Sequence, residues 1–274
     1  MTGRTAFVLG GGGLLGAVEV GMLQALFERD IRPDLVLGTS VGALNGLVVA
    51  SDPTLAVVDR LLDLWRSAGE NNDVYADPAW RQVRRAVLSG THLHSARPLR
   101  ERLEQEFGDL DFADLAVEFQ CVAASIERST EHWFTTGPVV PAVMASAAVP
   151  GLFPTAQVGD EHFLDGGIVN SIPLGRAVKL GADRIFVLQV GRIDRPLKPP
   201  RRPWEVARVS FEIARRHRFL RELEELPDDV TAHILPAGGS TRDDSMLAYR
   251  DASLVADRIQ AAYAGSVTYL DEHL

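Results

Sequence analysis

Thr5-Ala6-Phe7-Val8-Leu9 runs into Gly10-Gly11-Gly12-Gly13-Leu14-Leu15-Gly16, and Asp34-Leu35-Val36-Leu37 runs into Gly38-Thr39-Ser40-Val41-Gly42. Each is an apolar run of strand length closed by small residues and followed by a stretch that can continue as a helix. Two strand, turn and helix units in succession predict a parallel βαβ core. In such a core both turns fall at the carboxyl ends of their strands, where open α/β sheets bind ligands.

The four glycines let the backbone take positive φ and turn amide N–H groups outward without Cβ shielding. Leu14 to Asp30 then predicts an amphipathic helix, with Leu15, Val18, Met22 and Leu26 on one stripe and Glu19, Glu28 and Arg29 mostly off it. A nest of amides beside a helix N-terminus attracts negative charge. Gly11 to Gly16 fits G-x-G-x-x-G, so a dinucleotide pyrophosphate, a transition-state oxyanion, or a tight turn that binds nothing are all open. No Lys-Ser/Thr follows, which argues against a phosphate loop, and the second strand closes on small residues rather than on the acid a dinucleotide fold wants.

Gly38-Thr39-Ser40-Val41-Gly42 fits the G-x-S-x-G nucleophile elbow, in which Gly38 and Gly42 leave room for a tight crossing and Ser40 sits on the strained turn. The helix N-terminus would stabilise an alkoxide there. A plain helix N-cap is the alternative role for Ser40.

A chain of 274 residues can bury a full core as one large domain or two, and 46% hydrophobic with 24% charged residues is ordinary globular composition. No stretch approaches a membrane span. The start enters a strand at once, with no room for a signal or transit sequence, and the single Cys121 excludes an internal disulfide, so cytoplasmic residence is expected. A net charge of −9 gives no reason to expect nucleic-acid binding. Charge is uneven, however: Arg192 to Arg221 holds ten Arg or Lys against Asp194, Glu205 and Glu212. Such a stretch is either a solvated face or a contact for anionic head groups, with transient peripheral membrane contact through Arg215, Arg216 and Arg218.

Helices are predicted over Pro53–Ser67, Pro78–Ser89 and Pro98–Phe107, forming a helical insertion about 53–107 beside the sheet. His92 and His94 make a poor ligand set without a nearby thiolate or carboxylate cluster, so no metal is expected. Val117–Ala124 reads as a core strand, Glu131–Thr135 as its partner, and Pro141–Ala148 as a small-residue helix. Val149 to Pro154 is either a rigid loop or the apolar wall of an acyl pocket. Asp165-Gly166-Gly167 is by itself a hairpin signal. With Ser40 in the chain, its carboxylate becomes a candidate base, because an attacking serine must lose its proton. Ile172–Leu180 (helix), Arg184–Val190 (strand), a proline-rich loop from Ile193, a basic helix about 204–226, Val230–Leu235 (strand) and Met246–Leu270 (helix) complete a single domain over 1–274.

Taken together, Gly-Gly-Gly-Leu-Leu-Gly at 11–16, Gly-Thr-Ser-Val-Gly at 38–42, Asp-Gly-Gly at 165–167 and the Ala145 to Pro154 segment resemble the patatin-like phospholipase family. The resemblance implies a three-layer α/β/α fold with a mainly parallel central sheet, and a Ser-Asp dyad cleaving acyl esters of lipids with no metal or other cofactor. It makes Ser40 the nucleophile, Asp165 its base, and Gly11, Gly12 and Gly13 the oxyanion amides. Family members commonly carry Arg or Lys where this chain has Leu15.

Three other readings stay open. A Ser-Asp-His esterase or thioesterase would recruit His217, His233 or His273. A nucleotide-binding module would use the glycine nest alone, and a non-catalytic protein of this fold would bind lipid or a partner without turnover.

Overall fold

The structure is a computed structural model and describes residues 3–70, 91–191, 196–238 and 252–274. Strand β1 (Thr5–Leu9) passes through the glycine turn and a 3-10 turn (Gly13–Ala17) into α1 (Val18–Phe27). Strand β2 (Leu35–Thr39) passes through Ser40 into α2 (Val41–Ser51), and α3 (Ala56–Glu70) and α4 (Arg97–Phe107) follow. Then come β3 (Glu118–Ser125), β4 (Thr130–Phe134), α5 (Val139–Ser146), β5 (Ala156–Val158) and β6 (Glu161–Asp165). Helix α6 (Leu174–Lys179), β7 (Arg184–Leu188), α7 (Pro203–Glu224), β8 (Thr231–Leu235) and α8 (Ala252–His273) close the order. The helix expected over Pro78–Ser89, the beginning of the proline-rich loop at Ile193 and the start of the last helix at Met246 lie outside the described residues.

Five strands are parallel, in the order β3, β2, β1, β7, β8; β4 and β6 each pair antiparallel with β3, and β5 pairs antiparallel with β6. Side chains alternate across the sheet. Phe7 and Leu9 point into a core shared with α1, α2, α3, α5 and α8, whereas Ala6 and Val8 point into a second core shared with α6 and Phe219 of α7. The result is three layers, helices on both faces of one sheet.

Two local departures have clear causes. The helix expected from Leu14 begins as a 3-10 turn, and α1 proper starts at Val18. Glu19, expected off the apolar stripe, is fully buried, because α1 is wrapped on all sides: a Cβ on Gly21 would stand 2.2 Å from the Ile259 carbonyl oxygen of α8. Val57, Val58 and Leu61 of α3 are likewise buried in the core. Strand β5 was not expected. Its signal is Gly159-Asp160 between Val158 and Glu161, a two-residue hairpin turn with Gly159 at φ 60°.

Candidate active site

Strand β3 builds the site by changing partners along one edge. Its Cys121 to Ser125 pair with β4 on one side throughout. On the other side, Val122 pairs with Thr39, the last residue of β2, and Ala123 pairs with Asp165, the last residue of β6. A strand edge has one lane, so β6 enters, antiparallel, the lane that β2 leaves as it turns into α2. Asp165 therefore occupies the position next after Thr39, alongside the turn that carries Ser40.

Close approach is possible only with glycine here. A Cβ on Gly42 would stand 2.3 Å from the Leu9 carbonyl oxygen, and one on Gly38 would stand 2.5 Å from the Gly42 carbonyl oxygen. One on Gly166 would stand 2.1 Å from the carbonyl oxygen of Val122. The three glycines let α2, β1 and the 165–167 turn converge on Ser40.

Ser40 occupies the N-cap position of α2, yet its side chain caps nothing. It has φ 55° and ψ −121°, a conformation that costs a non-glycine residue about 1–3 kcal/mol and persists only where neighbours enforce it. An ordinary N-cap serine is extended and accepts a helix N–H. Ser40 Oγ instead donates to Asp165 Oδ2 at 2.5 Å. Its backbone N–H donates to the Ser146 Oγ of α5 at 2.9 Å, a contact that sequence reasoning missed. The neighbouring Thr39 Oγ1 donates to the Asn170 carbonyl at 2.8 Å, tying the elbow to the loop after Asp165.

Asp165 ends β6 as the N-cap of a 3-10 turn (Gly166–Ile168), so Asp-Gly-Gly does not turn a hairpin. Its Oδ1 accepts the Gly167 N–H at 2.7 Å, and its own N–H donates to the Ala148 carbonyl at 2.9 Å. With 4% of its surface exposed, burial pushes its carboxyl up to about 6, against the downward pull of the hydrogen bonds from Ser40 and Gly167. A carboxylate poised near neutrality and bonded to a strained hydroxyl can take that hydroxyl's proton.

The glycine turn lies beside Ser40: the Cβ position of Gly11 is 3.4 Å from Ser40 Cβ. Gly11 was expected among the outward amides, but its N–H donates to the Ser171 carbonyl at 2.9 Å and is spent on the fold. Among the described residues no acceptor takes the N–H of Gly12 or Gly13. A Cβ on Gly12 would stand 1.9 Å from Val190 Cγ2, while Gly13 is open and at φ 59°. Beneath this turn the buried Asn45 Nδ2 bridges Glu19 Oε2 (2.7 Å) and the Gly16 carbonyl (3.0 Å), and Trp65 Nε1 donates to Asn45 Oδ1 (3.2 Å). Burial raises the Glu19 carboxyl well above its ordinary value.

The three histidines of the triad reading lie elsewhere. His233 stacks on Phe186 in the β7–β8 region, His273 stacks on Tyr269 near the end of α8, and His217 is exposed on α7. Among the described residues no histidine hydrogen-bonds to Ser40 or Asp165. His94 bonds through its backbone N–H to the Leu152 carbonyl and lies against Phe153, and no group of three metal-ligating side chains occurs among the described residues.

Residues 7–178 match the family model described as patatin-like phospholipase, a span that contains both turns, Ser40 and Asp165. The chain belongs to the patatin-like phospholipase family. Among its relatives are a patatin-like phospholipase domain-containing protein of Caenorhabditis elegans, 31% identical over 71% of this chain, and a lysophospholipase, nte1, of Aspergillus terreus, 32% identical over 71% of this chain. These cover only 17% and 12% of the relatives' lengths, so the chain spans a small part of either protein. The crystal structure of VipD from Legionella pneumophila shares the fold, with a TM-score of 0.52 at 15% identity, covering 100% of this chain and 67% of that one.

Two expectations attached to the patatin-like reading meet specific geometry. Leu15, where a cation is common in the family, is half-buried and packs on the core. Arg215, Arg216 and Arg218, expected to face head groups, are engaged by the protein itself. Arg215 is only 6% exposed and pairs with Glu212 at 3.0 Å, and Arg216 pairs with the same carboxylate at 3.2 Å. Arg218 binds Glu131 (3.0 Å), Glu222 (2.9 Å) and the Val169 carbonyl (2.5 Å). Arg218 thus ties α7 to β4 and to the loop after Asp165, while Arg215 and Arg216 pair within α7, partnerships that charge counting along the chain cannot reveal. Among the described residues no helix is long and apolar enough to cross a membrane.

Proposed function

We propose that the chain is a serine acyl hydrolase that cleaves fatty-acyl esters of phospholipids or lysophospholipids through Ser40 and Asp165. The observation that carries this reading is the 2.5 Å bond from a strained, non-capping serine to a buried carboxylate whose pKa is raised to about 6. Asp165 accepts the Ser40 proton as Oγ attacks the ester carbonyl. The N–H groups of Gly12 and Gly13 hold the developing oxyanion, each donor contributing on the order of 3 kcal/mol. The alcohol leaves, taking the proton from Asp165, and an acyl-serine remains. Asp165 then takes a proton from water as the water oxygen attacks the acyl carbonyl, and the fatty acid departs as Asp165 returns that proton to Ser40 Oγ.

Phe153 and Pro154, with Leu99, Met144, Ala148 and Ala156, line a cavity of about 180 Å³. Its wall includes Ala148, whose carbonyl accepts the Asp165 N–H. This mainly apolar cavity, rimmed by Arg100, Thr155 and Gln157 and linked to the base through Ala148, is the place we assign to the acyl chain.

The test is product analysis of a mixed lipid extract. Wild-type protein is expected to release free fatty acid and Ser40→Ala to release none; equal release by both would sink the proposal.

A further inference from the structure

Ser40 leads into α2, and the Gly12 and Gly13 N–H groups lie in the separate turn that runs from Gly10 to Ala17, so the two segments must hold a fixed register for the chemistry. The near end of the glycine turn is anchored to its surroundings at the sheet end. Gly10 N–H donates to the Leu188 carbonyl and Gly11 N–H to the Ser171 carbonyl, each at 2.9 Å. Its far end is anchored to α2 itself. A Cβ on Gly16 would stand 2.4 Å from Val41 Cγ2, in the first turn of α2, so the two segments touch there. One helical turn further on, Asn45 Nδ2 donates to the Gly16 carbonyl at 3.0 Å. Gly12 and Gly13 therefore lie between two anchors, one of which is fixed to the helix that follows the nucleophile.

Asn45 is the one polar residue among the buried residues of α2, and an amide taken out of water is costly unless its groups are bonded. They are bonded in a single orientation. The Gly16 carbonyl can only accept and Trp65 Nε1 can only donate, so Nδ2 faces Gly16 and Glu19 Oε2 (2.7 Å) while Oδ1 faces Trp65 (3.2 Å). Glu19 Oε1 has no hydrogen-bond partner, so this buried carboxyl of α1 is committed to Asn45. A buried acid that makes so little of its bonding capacity is a poor stabiliser of the fold, and its contribution lies in aiming the amide. We propose that Asn45, aimed by Glu19 and Trp65, is a positioning residue that holds the Gly12 and Gly13 N–H groups in register with Ser40. This rests on the hydrolase reading, in which those two N–H groups hold the oxyanion.

The test compares two ligands. A long-chain alkyl trifluoromethyl ketone adds Ser40 Oγ at its carbonyl carbon, the proton passing to Asp165, and so carries an oxyanion; the 1-O-alkyl ether of a lysophospholipid carries none. Turnover of a lysophospholipid and the melting temperature are measured alongside. Asn45→Ala should lower kcat about 10–100-fold with KM nearly unchanged, the size of a small misplacement of donors. Its ketone affinity should fall by a similar factor while its ether affinity holds. Trp65→Phe, at a half-buried position of α3, should fold and show the same split about two- to fivefold. Glu19→Met should behave like Asn45→Ala, whereas Glu19→Gln, which offers Asn45 the same acceptor as a neutral acid, should stay near wild type. On a Gly12→Ala background, Asn45→Ala should cost little more, since both act through the same donor. Gln120→Ala, which removes a buried amide bonded to Arg176 instead, should lower the melting temperature without the split. A lower melting temperature with unchanged kcat and ketone affinity in Asn45→Ala and Trp65→Phe would overturn the proposal, as would full additivity with Gly12→Ala. Wild type that binds the ether but not the ketone would strike the oxyanion reading and this inference with it.

Discussion

Ser40 and Asp165, 125 positions apart in sequence, meet Oγ to Oδ2 at 2.5 Å because one edge of β3 passes from β2 to β6 between Val122 and Ala123. The sheet places the hydroxyl and the carboxylate, and the turns supply only the last few ångströms. Removing either group should therefore stop chemistry while leaving the fold intact. Ser40→Ala should lower kcat by about 10⁴-fold or more, and Asp165→Asn by about 10²–10⁴-fold. The double variant should be no slower than Ser40→Ala, because the two act as one unit. Steady-state kinetics with circular dichroism as a fold control checks all three.

The carboxyl of Asp165 is held at about 6 against an ordinary 3.8. Only its charged form is a base, so kcat/KM should rise with pH through an apparent pKa near 6 and level off above it. Stability should move the other way. Between the unfolded and folded values the native state holds the extra proton, so stability falls as pH rises and the full penalty is present above about 6. Asp165→Asn removes that penalty, on the order of 3 kcal/mol at most by the shift. The variant should melt above wild type at pH 8, with the gap closing by pH 4; scanning calorimetry at both values decides it.

Ser146 Oγ, fully buried, accepts the N–H of the strained Ser40. Ser146→Ala leaves that buried N–H without a partner, at a cost of about 1–3 kcal/mol. A lower melting temperature and a reduced kcat with little change in KM are expected, and Ser146→Thr should restore part of both. Unchanged melting and kcat would show that the contact positions nothing.

Neighbouring glycines should respond oppositely. A methyl on Gly12 meets Val190 Cγ2 at 1.9 Å and must push the turn aside, whereas a methyl on Gly13 enters open space and incurs only the strain of φ 59°. Gly12→Ala should lose about 10²–10³-fold in kcat, the size of one lost oxyanion donor. Gly13→Ala should lose ~1 kcal/mol or more of stability but far less rate. Comparing the two variants in kcat and chemical denaturation tests the assignment.

Ala156 sits on the wall of the cavity assigned to the acyl chain and is partly exposed, so a larger side chain can enter without disturbing the core. Ala156→Trp should lower kcat/KM for long-chain substrates at least tenfold and leave an acetyl or butyryl ester within twofold. Equal losses on both substrates would remove the cavity from the account.

The two strand–turn–helix units were legible because β1 and β2 are buried on both faces, so apolar runs and glycines mark their ends without ambiguity. Ser40 stood out for the same reason. What local pattern could not supply was the lane exchange on β3: Asp165-Gly166-Gly167 has the composition of a hairpin turn, and only pairing with Ala123 makes it the end of a strand facing Ser40. The burial of Glu19 was equally hidden. It sits on the polar side of a local helical pattern, yet Asn45 of α2, itself bonded by Trp65 of α3, meets its carboxylate there. Gly11 was placed among the free amides because a glycine run shows which N–H groups are unshielded but not which the Ser171 carbonyl will take. The arginines of α7 read as a surface charge from their number, while their direction depends on Glu131, Glu212 and Glu222.

The central claim is an acyl group carried on Ser40 Oγ. The direct measurement is rapid acid quenching during turnover of a long-chain lysophospholipid, followed by proteolysis and peptide mass spectrometry. The account predicts a fatty-acyl mass increment on the peptide containing Ser40 in wild type, absent in Ser40→Ala along with fatty-acid release. Steady fatty-acid release by Ser40→Ala, or an acyl group on any other residue, would contradict it.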